Sequence, residues 1–214
     1  MGLKMSKATV YDIKNHLEKT NRAWDIFRYN YMFGLKDKIH MSQIVNKDIL
    51  DLCLSSDKEP HNKNLAGDIE SEHRITNENA ILAVSEELKI HVENIFQQKP
   101  FNISLMSEYK KNDLWINRQK KTEFNPAHNH SGVYSFVIYA DIPEEIKQEY
   151  KDSIGNTGTR GLIQFHSEMT NDKLLFNPST YIILIFESSH MHQVYPFYSD
   201  NTRISIAGNI HEIN

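Results

Sequence analysis

Between residues 113 and 210 the sequence breaks into short runs rich in β-branched and aromatic residues, each closed by turn-forming residues. The runs are "DLWINRQ", "YSFVIYA", "GLIQFHS", "LLFNP", "TYIILIFE", "HQVYPF" and "TRISIAGNI". Short strands at this spacing are the pattern of an antiparallel sandwich or barrel, and six or seven of them suit a jelly roll. That pattern restricts the chain more than any other feature it has.

The first half reads differently. From Thr9 to about Asn94, charged residues are interleaved with apolar ones at helical spacing, as in "YDIKNHLEKTNRAWDIF" and "TNENAILAVSEELKIHVENIF". The second of these is expected to begin at Thr76, with Glu78 nearby, and to bury a stripe of Ile81, Leu82, Val84 and Leu88. A short strand at "KIHMSQIV" and a helix at "KDILDLCL" are expected between the two, followed by a polar loop at "SSDKEPHNKN". There is no internal repeat, low-complexity tract or obvious linker, so the helices are expected to pack against the barrel as one α+β unit.

Bulk properties narrow the partners. The 214 residues are 39% hydrophobic, enough for one sizeable core. Twenty-four Lys and Arg against 28 Asp and Glu give a net charge of -4, which offers no general attraction to phosphate backbones, so nucleic acid is not an expected partner. Cys53, the single cysteine, has no partner for an internal disulfide, and no leader-like segment opens the chain, so a reducing cytoplasm is the expected compartment. No stretch reaches the roughly 18 apolar residues of a membrane span. The opening "MGLKMS" matches a myristoylation pattern at Gly2, but nothing polybasic follows to supply a second anchor, so lipidation is not expected.

Three stretches could carry chemistry. In "NPAHNHSGVYSFVIYA", alternation along an extended strand would present His128 and His130 to one point, which is half of a metal site. Asn125-Pro126 before the pair and Ser131-Gly132 after it equally suit a solvated turn. A nuclease reading of "HNH" is excluded, because that motif spreads over a ββα unit and this chain lacks a basic surface. A third ligand is available in "FESSHMHQVYPF", where His190 and His192 share a side of an extended segment and alternation cannot choose between them. In "TRISIAGN", Arg203 and Ser205 share one face and Ile204 and Ile206 the other. An arginine inside a barrel is costly unless an anion meets it, whereas on an exposed sheet face it would be ordinary.

The order His-x-His, apolar strand, His, Arg-x-Ser resembles the iron(II)/2-oxoglutarate-dependent oxygenases, and most closely their small prolyl-hydroxylase-like members of the kind met in tailed bacteriophages. "WINRQKKTEFNPAHNHSGVYSFVIY" and "HQVYPFYSDNTRISIAGNI" carry the resemblance over most of residues 113–210, and "HNKNLAGDIESEHRI" is similar to the stretch preceding the barrel. The resemblance implies a double-stranded β-helix of the jelly-roll or cupin type in residues 39–214. Residues 1–38 match nothing specific and are expected to form a helical extension.

It further implies metal ligation by His128, by His130 at the family's carboxylate position, and by His192. The last follows because Phe186 through Pro196 fits the family pattern, with Glu187 where proline is usual. Arg203 matches the arginine that clamps the far carboxylate of 2-oxoglutarate, Ser205 the hydroxyl beside it, and Tyr139 a tyrosine reaching the same group. Asn117 and Gln119 are looser candidates for the pocket wall.

The implied cofactors are Fe(II) and 2-oxoglutarate. The implied partners are O₂ and a substrate not identifiable from sequence, a protein side chain among the candidates. The implied reaction hydroxylates a C–H bond while 2-oxoglutarate becomes succinate and CO₂. The departure is His130: three imidazoles also suit a cupin-type metalloenzyme that does not use 2-oxoglutarate, or a barrel that has lost turnover and serves as a phage structural or binding protein.

Overall fold

The computed structural model describes residues 10–12, 27–28, 39–56, 58–96, 102–107, 111–152, 158–166 and 173–214. The first half contains β1 (Val10–Asp12), β2 (Phe27–Arg28), β3 (Ile39–Gln43), α1 (Asp48–Ser55), β4 (Lys58–Pro60), β5 (Glu72–Ile75), α2 (Glu78–Phe96) and β6 (Ile103–Ser104). The second contains β7 (Leu114–Gln119), β8 (Asn125–His128), β9 (Tyr134–Asp141), α3 (Glu144–Gln148), β10 (Ile163–His166), β11 (Lys173–Asn177), β12 (Ile182–Glu187), β13 (His192–Val194), β14 (Arg203–Ile210) and β15 (Glu212–Ile213).

Two sheets organise the molecule. The larger has the order β2-β3-β12-β9-β14-β7-β5-β4 and the smaller β1-β11-β10-β13-β8, while β15 pairs with β6 separately. The strand "YIILIF" shows why the larger sheet forms a shared wall. Ile183 and Ile185 face the helices, joining Cys53 of α1 and Val84, Leu88 and Val92 of α2. Ile182, Leu184 and Phe186 point the other way, meeting Ile163 and Phe165 of β10 and Leu174 and Phe176 of β11. A strand buried on both faces has no polar alternation, and β12 has none until Glu187. The architecture is the double-stranded β-helix packed against helices that the resemblance implied.

The first half departs from its expected helicity. β3 pairs antiparallel with β12, and β5 with β7, so residues 39–75 widen the larger sheet as well as contributing α1. The expected polar loop at 55–64 contains β4, which pairs with β5 from Lys58 to Pro60. Proline is tolerated there because β4 is the outermost strand, where its missing N–H breaks no ladder. The expected helical segment 1–38 lies outside the described residues except for β1 and β2.

Helix α2 is capped by Asn77 rather than Thr76, since the Asn77 Oδ1 accepts from the Ala80 N–H at 3.1 Å. Val84 and Leu88 are buried as expected and Ile81 partly so, but Leu82 is 61% exposed. It stands about 200° around the helix from Val84, and the sheet can meet only one face.

Glu87 is one of three buried polar residues on α2, with Ser85 and His91. Its carboxylate accepts from the N–H groups of Val45 (2.5 Å) and Asn46 (3.1 Å) and lies 3.0 Å from the His91 Nε2, which ties the β3–α1 turn to α2. Burial alone would raise its pKa, but the hydrogen bonds from His91, Val45 and Asn46 outweigh burial and hold it below the ordinary value. Glu87→Ala is expected to cost about 3 kcal/mol in urea unfolding at pH 7, as for loss of one member of a buried hydrogen-bonded pair. Because the folded pKa is depressed, this contribution is present above the ordinary value of 4.5 and fades as pH falls through the folded one. The gap between wild type and variant should therefore narrow below about pH 4.5.

Candidate active site

The smaller sheet brings two histidines together by backbone pairing. His128 ends β8, His192 opens β13, and the two are direct cross-strand partners with ring centroids 4.3 Å apart. His130 does not share a strand with His128, contrary to the expected alternation, because β8 stops one residue after Ala127. It is held by its own N–H donating to the Ser188 carbonyl at 2.8 Å, and its ring lies 4.8 Å from that of His128 and 5.2 Å from that of His192. The chain then turns through Gly132 at φ 105°, where a Cβ would come within 2.8 Å of the Ile210 carbonyl oxygen. Only glycine fits that passage from His130 into β9.

One ligand atom from each of these histidines lies within 4.8 Å of the others. The Nδ1 of His128 is 2.6 Å from the Pro126 carbonyl oxygen, and that of His192 is 3.0 Å from the His190 carbonyl oxygen. A protonated Nδ1 donating to each carbonyl leaves Nε2 with its lone pair, the tautomer a metal requires. Burial lowers the pKa of all three: that of His130 falls to about 4, helped by His128, and that of His192 lies well below the ordinary value. They are therefore neutral near pH 7, ready to ligate without first losing a proton. His190 is also fully buried but stands apart from the group; its ring lies 5.7 Å from that of Phe165. Its backbone carbonyl, rather than its imidazole, serves the site.

The larger sheet supplies the opposite wall. Ser205 is the cross-strand partner of both Tyr139 and Asn117, so three polar side chains line up across β9, β14 and β7. One step along, Arg203 is opposite Gln119. These five residues and the three histidines line one pocket of about 680 Å³, counting space open to solvent. Arg203 is 3% exposed, which removes the surface-arginine alternative. It donates through Nη1 to the Gly161 carbonyl at 2.6 Å and through Nη2 to the Gln119 Oε1.

Gln119 is itself fixed by donating through Nε2 to the Glu123 carbonyl at 2.5 Å. It is thus the arm that aims the guanidinium, a role that no spacing rule in the sequence announces. Among the described residues no carboxylate lies within ion-pairing distance of Arg203. Burial lowers its pKa to about 10, with Tyr139 pulling the other way, so it stays cationic at neutral pH. Burial raises the Tyr139 phenol, which remains a protonated donor. Trp115, which sequence reasoning did not single out, lies with its ring 5.9 Å from that of His130.

Comparison with known proteins agrees with this architecture. Residues 113–209 match the family described as putative 2OG-Fe(II) oxygenase, so the chain resembles the iron(II)/2-oxoglutarate-dependent oxygenases in sequence over the barrel and in fold. A 2OG-Fe(II) oxygenase family oxidoreductase from Burkholderia pseudomallei aligns at 16% identity and TM-score 0.51, covering 79% of this chain and 82% of that one. HygX from Streptomyces hygroscopicus, in a structure with nickel and 2-oxoglutarate bound, aligns at 11% identity and TM-score 0.50, covering 80% and 83%. No curated protein matches. No helix among the described residues is long and apolar enough to cross a membrane.

Three neutral imidazoles within this spacing should bind a divalent transition metal whatever the reaction. Cobalt(II) is expected to bind at one equivalent, with a visible spectrum reporting nitrogen ligation. Alanine at His128, His130 or His192 should weaken it by more than about 100-fold, given that loss of a mere supporting partner already costs 10- to 100-fold. His190→Ala should retain the metal, because the carbonyl that orients His192 survives the substitution.

Proposed function

We propose that the protein is an iron(II)- and 2-oxoglutarate-dependent dioxygenase that hydroxylates a C–H bond of its substrate. The observation that carries this reading is a buried, unneutralised guanidinium at one side of a pocket whose other side holds three neutral imidazoles. A cation so placed calls for an anion, and a metal on three neutral ligands calls for negative charge as well. The 2-oxoglutarate dianion answers both, with one end for the metal and a carboxylate for Arg203.

The residues then divide the work. His128, His130 and His192 would hold Fe(II). Arg203 would pair with the distal carboxylate through its two parallel N–H groups, positioned by Gln119 and Gly161. Tyr139 and Ser205 would donate to the same carboxylate, and Asn117 would close the wall beside them. Bound iron with 2-oxoglutarate supplies the oxidation, in which one atom of O₂ enters succinate as CO₂ leaves and the other enters the substrate C–H bond. The protein orients the reactants and keeps water out.

His130, in place of a carboxylate, favours a second reading: a three-histidine metalloenzyme of the cupin kind in which Arg203 binds the substrate's own carboxylate. Anaerobic addition of iron(II) and 2-oxoglutarate separates the two, since only the first predicts a visible metal-to-ligand charge-transfer band and slow succinate formation without added substrate. Arg203→Ala should raise the 2-oxoglutarate concentration needed for half the band by about 100-fold, as expected for a lost charge-assisted pair worth about 3 kcal/mol, while metal content stays near wild type. A fully metallated protein that gives neither band nor succinate would rule the dioxygenase reading out.

A further inference from the structure

The polar row on the larger sheet does not end at Asn117. β5 pairs with β7 so that Glu72 is the cross-strand partner of Asn117, which extends the sequence Tyr139, Ser205, Asn117 by one strand. Glu72 lines the same pocket and is 1% exposed. Its Oε2 accepts no hydrogen bond from any described residue, and neither does the Oδ1 of Asn117 or of Asn125, both of which line that pocket too.

The side chains of Glu72 and Asn125 converge. A Cβ placed on Gly67 would lie 2.1 Å from the Asn125 Oδ1 and 2.9 Å from the Glu72 Oε1, so the two side chains approach one point from different elements, and glycine is what leaves room for them. Three buried acceptors without a donor from the protein each carry a cost comparable to a lost hydrogen bond unless something else donates to them. A ligand that donates to all of them removes that penalty.

The charge on the ligand follows from what surrounds Glu72. Burial, with a smaller contribution from the like charge of Glu123, raises its pKa to about 7. No cation lowers it. A hydroxyl would satisfy one oxygen and leave the carboxylate uncompensated, whereas an ammonium carries three donors and the missing positive charge. Arg203, held toward the other end of the row by Gln119 and Gly161, is not among the groups that act on Glu72.

We propose that Glu72, Asn117 and Asn125 form the substrate subsite of this pocket and that it takes a protonated primary amine. The proposal rests on the reading above only in assigning this amine to the molecule oxidised at the three histidines. Asn117 then stands between the two ligands, with Ser205 on one side and Glu72 on the other.

The test uses the full chain with iron(II) and 2-oxoglutarate under nitrogen, and ligand-observed NMR with matched probes. Cadaverine and the peptide acetyl-Gly-Lys-Gly-amide carry the ammonium; 1-pentanol and the norleucine peptide are their neutral counterparts. At least one ammonium probe is expected to bind about tenfold or more tightly than its counterpart. Glu72→Gln should abolish that preference while the charge-transfer band remains.

The better of the two ammonium probes indicates whether the amine belongs to a free metabolite or to a lysyl side chain. Glu72→Gln should also unfold at a higher temperature than wild type, since it replaces a desolvated carboxyl and brings a donor toward the Asn125 oxygen. Asn125→Asp adds a second carboxylate and should strengthen the preference, and it carries the test if Glu72→Gln does not fold. Equal binding of ammonium and neutral probes, no binding of either, or a preference that survives Glu72→Gln would overturn the proposal. A missing charge-transfer band with the Glu72-dependent preference intact would instead count against the cosubstrate reading and leave the amine subsite standing.

Discussion

The position of Arg203 on β14 governs much of what surrounds it. β14 lies between β9 and β7 well inside the larger sheet, with helices beyond one face and the smaller sheet beyond the other. A side chain there cannot extend its charged end into water as a surface arginine does. Its hydration must be replaced by fixed dipoles, which here are the Gly161 carbonyl and the Gln119 amide, and Gln119 is in turn anchored by the Glu123 carbonyl. These groups take up two of the five N–H donors without cancelling the charge. What remains is a preorganised cation in a low-dielectric wall, a condition worth maintaining only if an anion completes it.

The two sheets carry different chemistry into the same pocket. The smaller sheet contributes neutral nitrogen donors, with His128 and His192 locked side by side by strand pairing and His130 brought in by the following turn. The larger sheet contributes the row of polar groups and the guanidinium. Neither sheet has both. The apolar contact of Phe165 and Phe176 with Phe186 and Leu184 fixes the distance between the sheets, and so sets how histidines and arginine stand relative to one another.

Along the larger sheet the pocket changes sign. It is cationic at Arg203, hydroxylic at Tyr139 and Ser205, amidic at Asn117 and acidic at Glu72. Such a gradient distinguishes the two ends of any ligand that carries both charges, or two ligands of opposite charge bound side by side. Because the row is made by cross-strand register, sliding β5 by one residue would turn Glu72 out of the pocket and bring a neighbour in its place.

Much of this is legible in the sequence. β7, β9 and β10 to β14 are written as apolar runs between turn residues, and the pairing of Arg203 with Ser205 on one face follows from the period of two alone. Less legible were β4, whose charged residues read as part of a polar loop, β5, which no strand pattern marked, and Leu82, whose helical phase depends on which side the sheet approaches. The choice between His190 and His192 illustrates the limit: they have the same parity, and only the resemblance separated them. The sequence by itself determined the local periods, the turns and the residue types able to bind a metal or an anion, because these depend on near neighbours. The tertiary structure alone decided that Gln119 aims Arg203, that the His190 carbonyl orients His192, and that Glu72 joins the row from Tyr139. The first and last of these relations join residues far apart in the chain, whose proximity is set by strand register and sheet packing; the second spans only two residues and follows from how the backbone turns into β13.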